Sequence, residues 1–288
     1  MKAPAFAYLA PTTVEQALGY LHEVEGARVL AGGQSLMSML NMRYAFPDCL
    51  IDINRIPALS YIRESGSLVE FGSMTRQRDV EFSNIVASRL PLLREAVLHV
   101  GHRQTRNRGT VGGSLCQLDP SAEIPTIATA MDARVFVASI RGTRVIAMAD
   151  FPAGYMNPAI EPDEMLVSIA IEPWPQGHGH AFLEFSRRHG DFAIVSTAVL
   201  LLFGHDGLLS RVSITLGGVA AAPVRMTLAE NALSQTRGTP ADVERAVTVC
   251  YAVDAISDTY VPAWYRQRLA GVLTERALNI ALKRAGKQ

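Results

Sequence analysis

The sequence predicts a two-domain α+β protein, and three observations lead to that prediction. The chain has 288 residues, which is enough for more than one domain. Up to about residue 175, short apolar runs alternate with amphipathic helical patterns. Beyond residue 177, strand patterns come first and helical patterns follow, an order typical of an α+β domain. We therefore expect a first domain at residues 1–175 and a smaller α+β domain at 178–288, divided by the Pro-Trp-Pro-Gln-Gly stretch of 173–177.

The first domain is expected to contain two lobes, and the first lobe covers about residues 1–55. Thr12 and Glu15 have the spacing of a capping box at the start of a helix. The apolar residues that follow share one helical face: Val14, Ala17, Leu18 and Leu21. Strands are expected at residues 28–30 and 49–53.

The second lobe, about residues 56–175, is expected to be richer in strands. Two hairpins are predicted at residues 61–71 and 134–148, because each joins two apolar runs through a glycine-containing turn. A helix is expected at residues 91–100 and a further strand at 165–171.

The second domain begins with an antiparallel pair of strands at residues 193–203 and 208–216. Helices are expected at residues 240–256 and 262–285. The basic residues of the last helix gather near its C-terminal end, where the helix dipole favours them.

Composition excludes several classes of protein. Lys plus Arg equals Asp plus Glu, 27 each, so no net charge draws the chain to nucleic acid or anionic lipid. Neither a signal peptide nor a bilayer-spanning run is evident. Three isolated cysteines, Cys49, Cys116 and Cys250, are too few for an iron–sulfur cluster and argue against a disulfide framework. A cytoplasmic chain without clusters or bound metal is expected.

Two glycine pairs are the most informative local feature. The first lies in Ala31-Gly32-Gly33-Gln34-Ser35, directly after the strand at residues 28–30, and the second is Gly112-Gly113. Adjacent glycines tolerate positive φ, so consecutive N–H groups can converge on an anion. Neither segment reads GxGxxG or GxxxxGKS, so Rossmann and P-loop sites are not indicated. Two such segments predict a ligand with two phosphates, and hence a dinucleotide.

Glu123 follows the second glycine pair by ten residues and has two interpretations. Its carboxylate would accept hydrogen bonds from the hydroxyls of a ribose, as acidic residues do in other dinucleotide sites. Alternatively, it is a first-turn acid at the start of a helix over residues 124–130. The residues alone leave both open.

Phe192 also has two interpretations, since the polar turn of residues 189–191 delivers it to the start of a strand. The segment is either a functional loop or a plain turn. We find no nucleophile elbow and no pair of carboxylates with a base, so no catalytic residue is assigned in this chain.

Four segments together resemble the FAD-binding medium subunit of molybdenum hydroxylases. This family includes carbon monoxide dehydrogenase medium subunits and the flavin domain of xanthine dehydrogenase. The segments are AGGQSLM at 31–37, RNRGTVGGSL at 106–115, DPSAE at 119–123 and RRHGDFA at 187–193. The resemblance extends to YRQRLAGVLTERAL at 265–278 and so covers nearly the whole chain. It implies FAD in a two-lobed domain of the vanillyl-alcohol oxidase type, followed by a C-terminal α+β domain.

The resemblance also implies which residues bind the cofactor. Those expected around the pyrophosphate are Ala31, Gly32, Gly33, Gln34, Ser35, Leu36, Thr110, Gly112, Gly113 and Ser114. Glu123 is expected at the adenosine ribose, Leu166 in the flavin pocket and Phe192 beside the isoalloxazine. Gln117 stands where many relatives have Asn, and Glu184 or Leu183 stands where some have a flavin-pocket Lys.

The implied role is that of an FAD-carrying electron-transfer subunit in a heterotrimer, with two heterotrimers expected to dimerise. A small subunit would carry [2Fe-2S] clusters, and a large subunit would carry the molybdenum cofactor and the substrate. Two alternatives stay open: a free-standing FAD oxidoreductase of the vanillyl-alcohol oxidase type, and a flavin-binding structural or regulatory module.

Overall fold

The computed structural model describes residues 2–286, and its first sheet has three parallel strands. β1 (Ala7–Leu9) and β2 (Ala27–Leu30) each pair with the central β3 (Cys49–Asp52). Two helices connect these strands: α1 (Val14–Glu23) and α2 (Leu36–Asn41). The buried face of α1 packs in one cluster with β3, which accounts for the apolar periodicity of this helix.

The N-cap of α1 is Thr13, so the capping pair expected at Thr12 and Glu15 is wrong by one residue. The Thr13 hydroxyl accepts a hydrogen bond from the N–H of Gln16 at 3.2 Å. The side chain of Gln16 in turn accepts the N–H of Thr12 at 2.9 Å. The N–H groups of Thr12 and Gln16 at the start of the helix therefore both have side-chain acceptors, and Gln16 is the reciprocal acceptor that was expected to be Glu15.

A second sheet has five antiparallel strands in the order β4-β5-β10-β6-β7. Its strands, with the small β8–β9 pair, are β4 (Ile62–Ser65), β5 (Leu68–Gly72), β6 (Arg134–Ser139), β7 (Gly142–Ala147), β8 (Pro152–Gly154), β9 (Asn157–Pro158) and β10 (Met165–Ile171). Both expected hairpins are present, and the strand expected at 165–171 lies between them.

Six helices lie in the chain between β5 and β6. They are α3 (Gln77–Phe82), α4 (Asn84–Arg89), α5 (Pro91–Val97), α6 (Arg103–Arg108), α7 (Val111–Gln117) and α8 (Glu123–Ala130). The apolar side chains of five of them, all but the entirely polar α6, form one buried cluster with the inner faces of β5, β6 and β10. Most of them span less than two turns, which is too short to show a helical period in the sequence.

The third main sheet is antiparallel, in the order β11-β12-β13-β14. Its strands are β11 (Gly179–Phe185), β12 (Val195–Phe203), β13 (Leu209–Gly217) and β14 (Val224–Arg225). Three helices follow: α9 (Thr227–Leu233), α10 (Pro240–Tyr251) and α11 (Ala263–Ala285). Within residues 2–286, no helix combines the length and the apolar character that a bilayer crossing requires.

β12 is buried on both faces, and this fixes how the two halves of the chain pack. Ala198 and Leu200 belong to the core shared with α5 and α8, whereas Val199 and Leu201 belong to the core shared with α10 and α11. A strand covered on both sides carries a continuous apolar run instead of an alternating one. The C-terminal sheet is thereby held against α8, and the loop before β12 reaches the site described next.

Candidate functional site

One cavity of about 760 Å³ gathers every residue expected to bind the cofactor. It is bounded by the loop after β2, by α7 with the start of α8, by β10 and by the loop before β12. The expected residues that line it are Ala31, Gly32, Gly33, Gln34, Ser35, Leu36, Thr110, Gly112, Gly113, Ser114, Gln117, Glu123, Leu166 and Phe192. Residues as far apart in sequence as Ala31 and Phe192 therefore line the same cavity. Their contacts with a ligand stay a prediction.

The loop after β2 supplies a run of unused backbone donors. Gly33 has φ of +73°, a conformation that favours glycine. Among the hydrogen bonds of the described chain, none uses an N–H of residues 32–36, although these residues line the cavity. The Gln34 side chain is turned back onto the Gly32 carbonyl at 3.3 Å. Five successive N–H groups are thus available to an anionic ligand.

The second glycine pair has a different structure from the one expected. Gly112 and Gly113 lie in the first turn of α7, and neither has a positive φ. The N–H of Gly112 binds the Ser73 carbonyl at 3.0 Å, and that of Gly113 binds the Thr110 hydroxyl at 2.9 Å. The N–H of Ser114 binds the Thr110 carbonyl at 3.1 Å. The expectation of a second concavity of free N–H groups is therefore wrong.

Close packing explains the second glycine pair instead. A Cβ atom on Gly112 would lie 2.7 Å from the Ser73 carbonyl oxygen, and one on Gly113 would lie 2.7 Å from the Thr110 hydroxyl. At Gly112, glycine is required because α7 approaches the Ser73 backbone too closely for a side chain, whereas at Gly113 the close atom is the hydroxyl of Thr110, the N-cap of α7 itself. On this side of the cavity, the donors left to a ligand are the hydroxyls of Thr110 and Ser114.

The position of Glu123 confirms the first-turn interpretation and is compatible with the ribose interpretation, which stays a prediction. Glu123 is the first residue of α8, and it also lines the cavity. Only 5% of the residue is exposed, and burial raises the pKa of its carboxyl to about 8. A buried carboxyl is costly to ionise unless donors surround it. Ligand hydroxyls inside the cavity would be such donors.

A histidine that the sequence analysis did not select lies close to this carboxyl. His99 Nδ1 is 3.4 Å from Glu184 Oε1, and this hydrogen bond raises the pKa of His99, with smaller contributions from nearby carboxylates that include Glu123. Glu184 is itself almost fully buried, and Leu183 packs into the C-terminal core. Neither of these two positions lines the cavity. No local signal marks His99, because its partner is 85 residues away along the chain.

The two residues expected beside the flavin differ in exposure. Leu166 on β10 is buried, whereas Phe192 is 63% exposed at the rim. Gly190 has φ of +84°, and a Cβ atom there would lie 2.4 Å from the His102 ring. The segment before Phe192 is therefore a tight turn docked on the lobe that carries α6. Gln117 ends α7, with its amide 3.5 Å from the sulfur of Met39.

The cavity wall includes further residues that no motif marked. Gly101 and Thr105 lie before α7, and Ile160 and Met165 lie before and within β10. In residues 2–286 no cluster of three or more His, Cys, Asp or Glu side chains is placed to hold a metal ion.

FAD fits the residues present. The free N–H run suits a pyrophosphate, and the buried carboxyl of Glu123 suits a ribose. The family model described as the FAD binding domain in molybdopterin dehydrogenase matches residues 4–175. The chain belongs to this family. A second model, the CO dehydrogenase flavoprotein C-terminal domain, matches residues 180–281.

Individual relatives agree over the full length. The chain is 37% identical over 287 residues to the 6-hydroxypseudooxynicotine dehydrogenase complex subunit alpha of Paenarthrobacter nicotinovorans, covering 99% of this chain and 97% of that one. It is 35% identical over 286 residues to the carbon monoxide dehydrogenase medium chain of Hydrogenophaga pseudoflava, covering 99% of each.

Solved structures give the same result. Carbon monoxide dehydrogenase from Hydrogenophaga pseudoflava superposes with a TM-score of 0.95 at 37% identity, covering 99% of both chains. Quinoline 2-oxidoreductase from Pseudomonas putida 86 superposes with a TM-score of 0.94 at 31% identity, again covering 99% of both. The resemblance and the expected fold, an FAD-binding domain followed by an α+β domain, are confirmed. The chain is an oxidoreductase subunit of this family, and FAD is its cofactor.

Proposed function

We propose that this chain is the electron-transfer subunit of a heterotrimeric molybdenum hydroxylase. It would receive electrons from a small subunit with [2Fe-2S] clusters and pass them to an external acceptor, while a large subunit with the molybdenum cofactor oxidises the substrate. Two heterotrimers would dimerise. The observation that carries this proposal is the cavity itself, which offers phosphate donors and a ribose acceptor, while two of its other carboxylates, Asp119 and Glu164, have structural partners. Relatives with the printed names medium chain or medium subunit support the division into subunits.

The phosphate end of the cavity binds through residues 32–36 and through the Thr110 and Ser114 hydroxyls. A hydrogen bond to a charged group contributes roughly 1.5–3 kcal/mol, so four of them supply about 6–12 kcal/mol. Micromolar binding corresponds to about 8 kcal/mol. The backbone N–H groups and hydroxyls therefore supply enough free energy for micromolar binding without a lysine.

Glu123 holds the adenosine ribose in this proposal. In the apoprotein its carboxyl keeps a proton at neutral pH, because burial raises its pKa to about 8. Two ribose hydroxyls would donate to the ionised form and favour it. Binding should therefore release a proton from Glu123, with the neighbouring His99 compensating part of the new charge.

At the other end, Leu166 and Phe192 would contact the flavin ring. When bound, FAD supplies a carrier that accepts electrons singly and delivers them in pairs. Because Phe192 is largely exposed, this end of the cavity is open to an external acceptor.

Glu164 and Asp119 serve the fold, whereas the side chains of Glu161 and Asp191, which also line the cavity, have no hydrogen-bond partner among the described residues. Glu164 receives two hydrogen bonds from Arg144, at 2.7 and 2.6 Å. Asp119 accepts the N–H of Ser121 at 2.9 Å. General base catalysis needs a carboxylate free to reach the substrate proton. These contacts support a chain that binds and orients its cofactor while substrate chemistry takes place on a partner.

We also propose that the division into residues 1–175 and 178–288, with lobes at about 1–55 and 56–175, holds as two structural domains. The core around α9, α10 and α11 lies entirely within residues 178–288 and supports the division into two domains. The core of the five-stranded sheet also takes in Phe182, Ala198 and Leu200, where the second domain packs against the first. The cytoplasmic location expected from the sequence remains a prediction.

Stopped-flow absorbance of the isolated FAD-loaded chain tests the proposed function. After chemical reduction, the chain should pass electrons to an artificial acceptor. It should stay oxidised when candidate substrates of molybdenum hydroxylases are added, and adding the two partner subunits should restore reduction by substrate. Bleaching of the flavin by substrate in the isolated chain would contradict the proposal and favour the free-standing oxidoreductase.

A further inference from the structure

The two glycine segments of the cavity, the loop after β2 and the start of α7, lie more than 70 residues apart in sequence but touch each other. A Cβ atom on Gly32 would lie 2.2 Å from the Arg108 carbonyl oxygen, so the loop after β2 lies directly against the segment before α7. A pyrophosphate held by both segments needs a fixed distance between them, because hydrogen bonds weaken steeply with small errors in geometry. The structure contains a side-chain link that fixes this distance.

Asn54 is the first half of the link. It follows β3, and its Nδ2 donates to the Ala31 carbonyl at 2.8 Å and also to Asp52. The second oxygen of Asp52 accepts from the Tyr8 hydroxyl. Burial acts to raise the pKa of Asp52, but the hydrogen bonds from Tyr8 and Asn54 outweigh burial and lower it. An ionised Asp52 orients the Asn54 amide, which leaves the amide oxygen as an acceptor.

Arg76 is the second half. Its Nη2 donates to Asn54 Oδ1 at 2.6 Å, and its Nη1 donates to the Arg108 carbonyl. The backbone on either side of Arg76 is bonded to the same segment, since the N–H of Gln77 binds the Gly109 carbonyl at 2.9 Å and the N–H of Val111 binds the Thr75 carbonyl at 3.0 Å. A guanidinium is planar and holds its two donors in a rigid fork, so it sets the distance between two acceptors.

We propose that Asn54 and Arg76 are positioning residues for the cofactor site. They hold the free N–H groups of residues 32–36 at the spacing from Thr110 and Ser114 that a pyrophosphate requires. This inference rests on the placement of FAD in the proposed function. Neither side chain belongs to a buried apolar cluster, and each contacts the polar backbone of the two segments. Their removal should therefore affect ligand affinity more than folding.

The test compares Asn54→Ala, Arg76→Gln and the double variant by calorimetric titration of the apoprotein with FAD and with ADP, which shares the pyrophosphate. Each single variant should lose affinity for both ligands by about 10- to 100-fold, the usual cost of losing a residue that orients a ligating group. The double variant should lose little more than either single variant, because both residues form one link. Arg76→Lys should restore part of the affinity, because an ammonium reaches one of the two acceptors.

Arg78→Gln is the matched control. Arg78 lies two residues further along α3 and reaches Asn107 on α6 at 3.2 Å, without touching the carbonyl groups of Ala31 or Arg108. Its variant should bind FAD within about twofold of the wild type. Urea unfolding of the apoproteins should give similar midpoints for the control and for the link variants.

Four results would overturn the inference. The inference would be wrong, with the proposed function unaffected, if Asn54→Ala and Arg76→Gln both bound FAD with wild-type affinity. It would also be wrong if these variants lost enough apoprotein stability to account for their loss of FAD affinity. Additive losses in the double variant would show two independent contacts in place of a link. Failure of the wild-type chain to bind FAD would overturn the proposed function and this inference with it.

Discussion

The two glycine pairs look alike in sequence and perform different tasks in the structure. At Gly32-Gly33 a loop leaves five backbone N–H groups without partners in the described chain. At Gly112-Gly113 a helix begins, and its first N–H groups are bound by Ser73 and Thr110. The first pair offers donors to a ligand, whereas the second allows a helix to approach its neighbours closely. Glycine pairs therefore indicate either close approach or free donors, and the partners of the N–H groups decide which.

The largest effect is expected at the second pair. In Gly112→Ala the new methyl group would meet the Ser73 backbone, so the apoprotein should lose about 3 kcal/mol of stability or more through overpacking. Urea unfolding of the apoprotein measures this loss. Gly19→Ala is the control, because Gly19 lies in α1 with open space around it and alanine favours the helix there. An equal response of both variants would show that close packing is not the role of Gly112.

At the first pair, the effect should fall on the cofactor. Gly33→Ala forces an alanine to φ of +73°, which costs roughly 1–2 kcal/mol and displaces the N–H groups of the loop. FAD affinity should fall by at least about tenfold, as measured by flavin fluorescence titration. Gly66→Ala carries the same strain at φ of +60° in an exposed hairpin turn. Gly66→Ala should lose similar stability and no FAD affinity. Equal losses of FAD affinity in both variants would contradict the role of residues 32–36 in binding the pyrophosphate.

The stability of the apoprotein should depend on pH through Glu123. The folded-state pKa of Glu123 is about 8, above its ordinary value of 4.5, so the protonated form is favoured by folding. This group therefore destabilises the apoprotein progressively as pH rises from about 5 to 8. Glu123→Gln should remove that pH dependence and yet weaken FAD by about 1–3 kcal/mol through loss of a charged acceptor. Urea unfolding of both apoproteins at pH 6 and pH 8 measures the effect on stability, and titration with FAD measures the effect on affinity. If the stability of Glu123→Gln depended on pH as that of the wild type does, the raised pKa of Glu123 would be contradicted.

The smallest effect on stability is expected at the rim. Phe192 is 63% exposed, so Phe192→Ala should change the stability of the apoprotein by less than about 0.5 kcal/mol. The rate of flavin reoxidation by an external acceptor should nevertheless change, because this side chain borders the open end of the cavity. Stopped-flow absorbance measures the rate of reoxidation. If both this rate and the FAD affinity were unchanged in Phe192→Ala, the segment before β12 would be a plain turn without a role at the flavin.

Sequence patterns located most of the longer strands because their signal is local, although β1 and the seven-residue β11 were missed. β10 matches its expected range, and both hairpins of the five-stranded sheet were anticipated. The six-residue helices α3, α4 and α6 were missed, since fewer than two turns show no period.

The residues of the cavity wall followed from the resemblance, but their chemistry did not. The N–H of Gly112 donates a hydrogen bond to the Ser73 carbonyl, and the Ala31 carbonyl accepts one from the Asn54 side chain. Both contacts join segments more than 20 residues apart, which no local pattern encodes.

The central claim is that the free N–H groups of residues 32–36 hold the FAD pyrophosphate. Amide hydrogen exchange resolved to single residues, with and without FAD, measures this directly. The account predicts rapid exchange at residues 32–36 in the apoprotein and strong protection when FAD is added. It predicts that residues 112–114 are protected in both states, because their N–H groups already have partners. Protection that appears at residues 112–114 on FAD addition, with no change at 32–36, would contradict it.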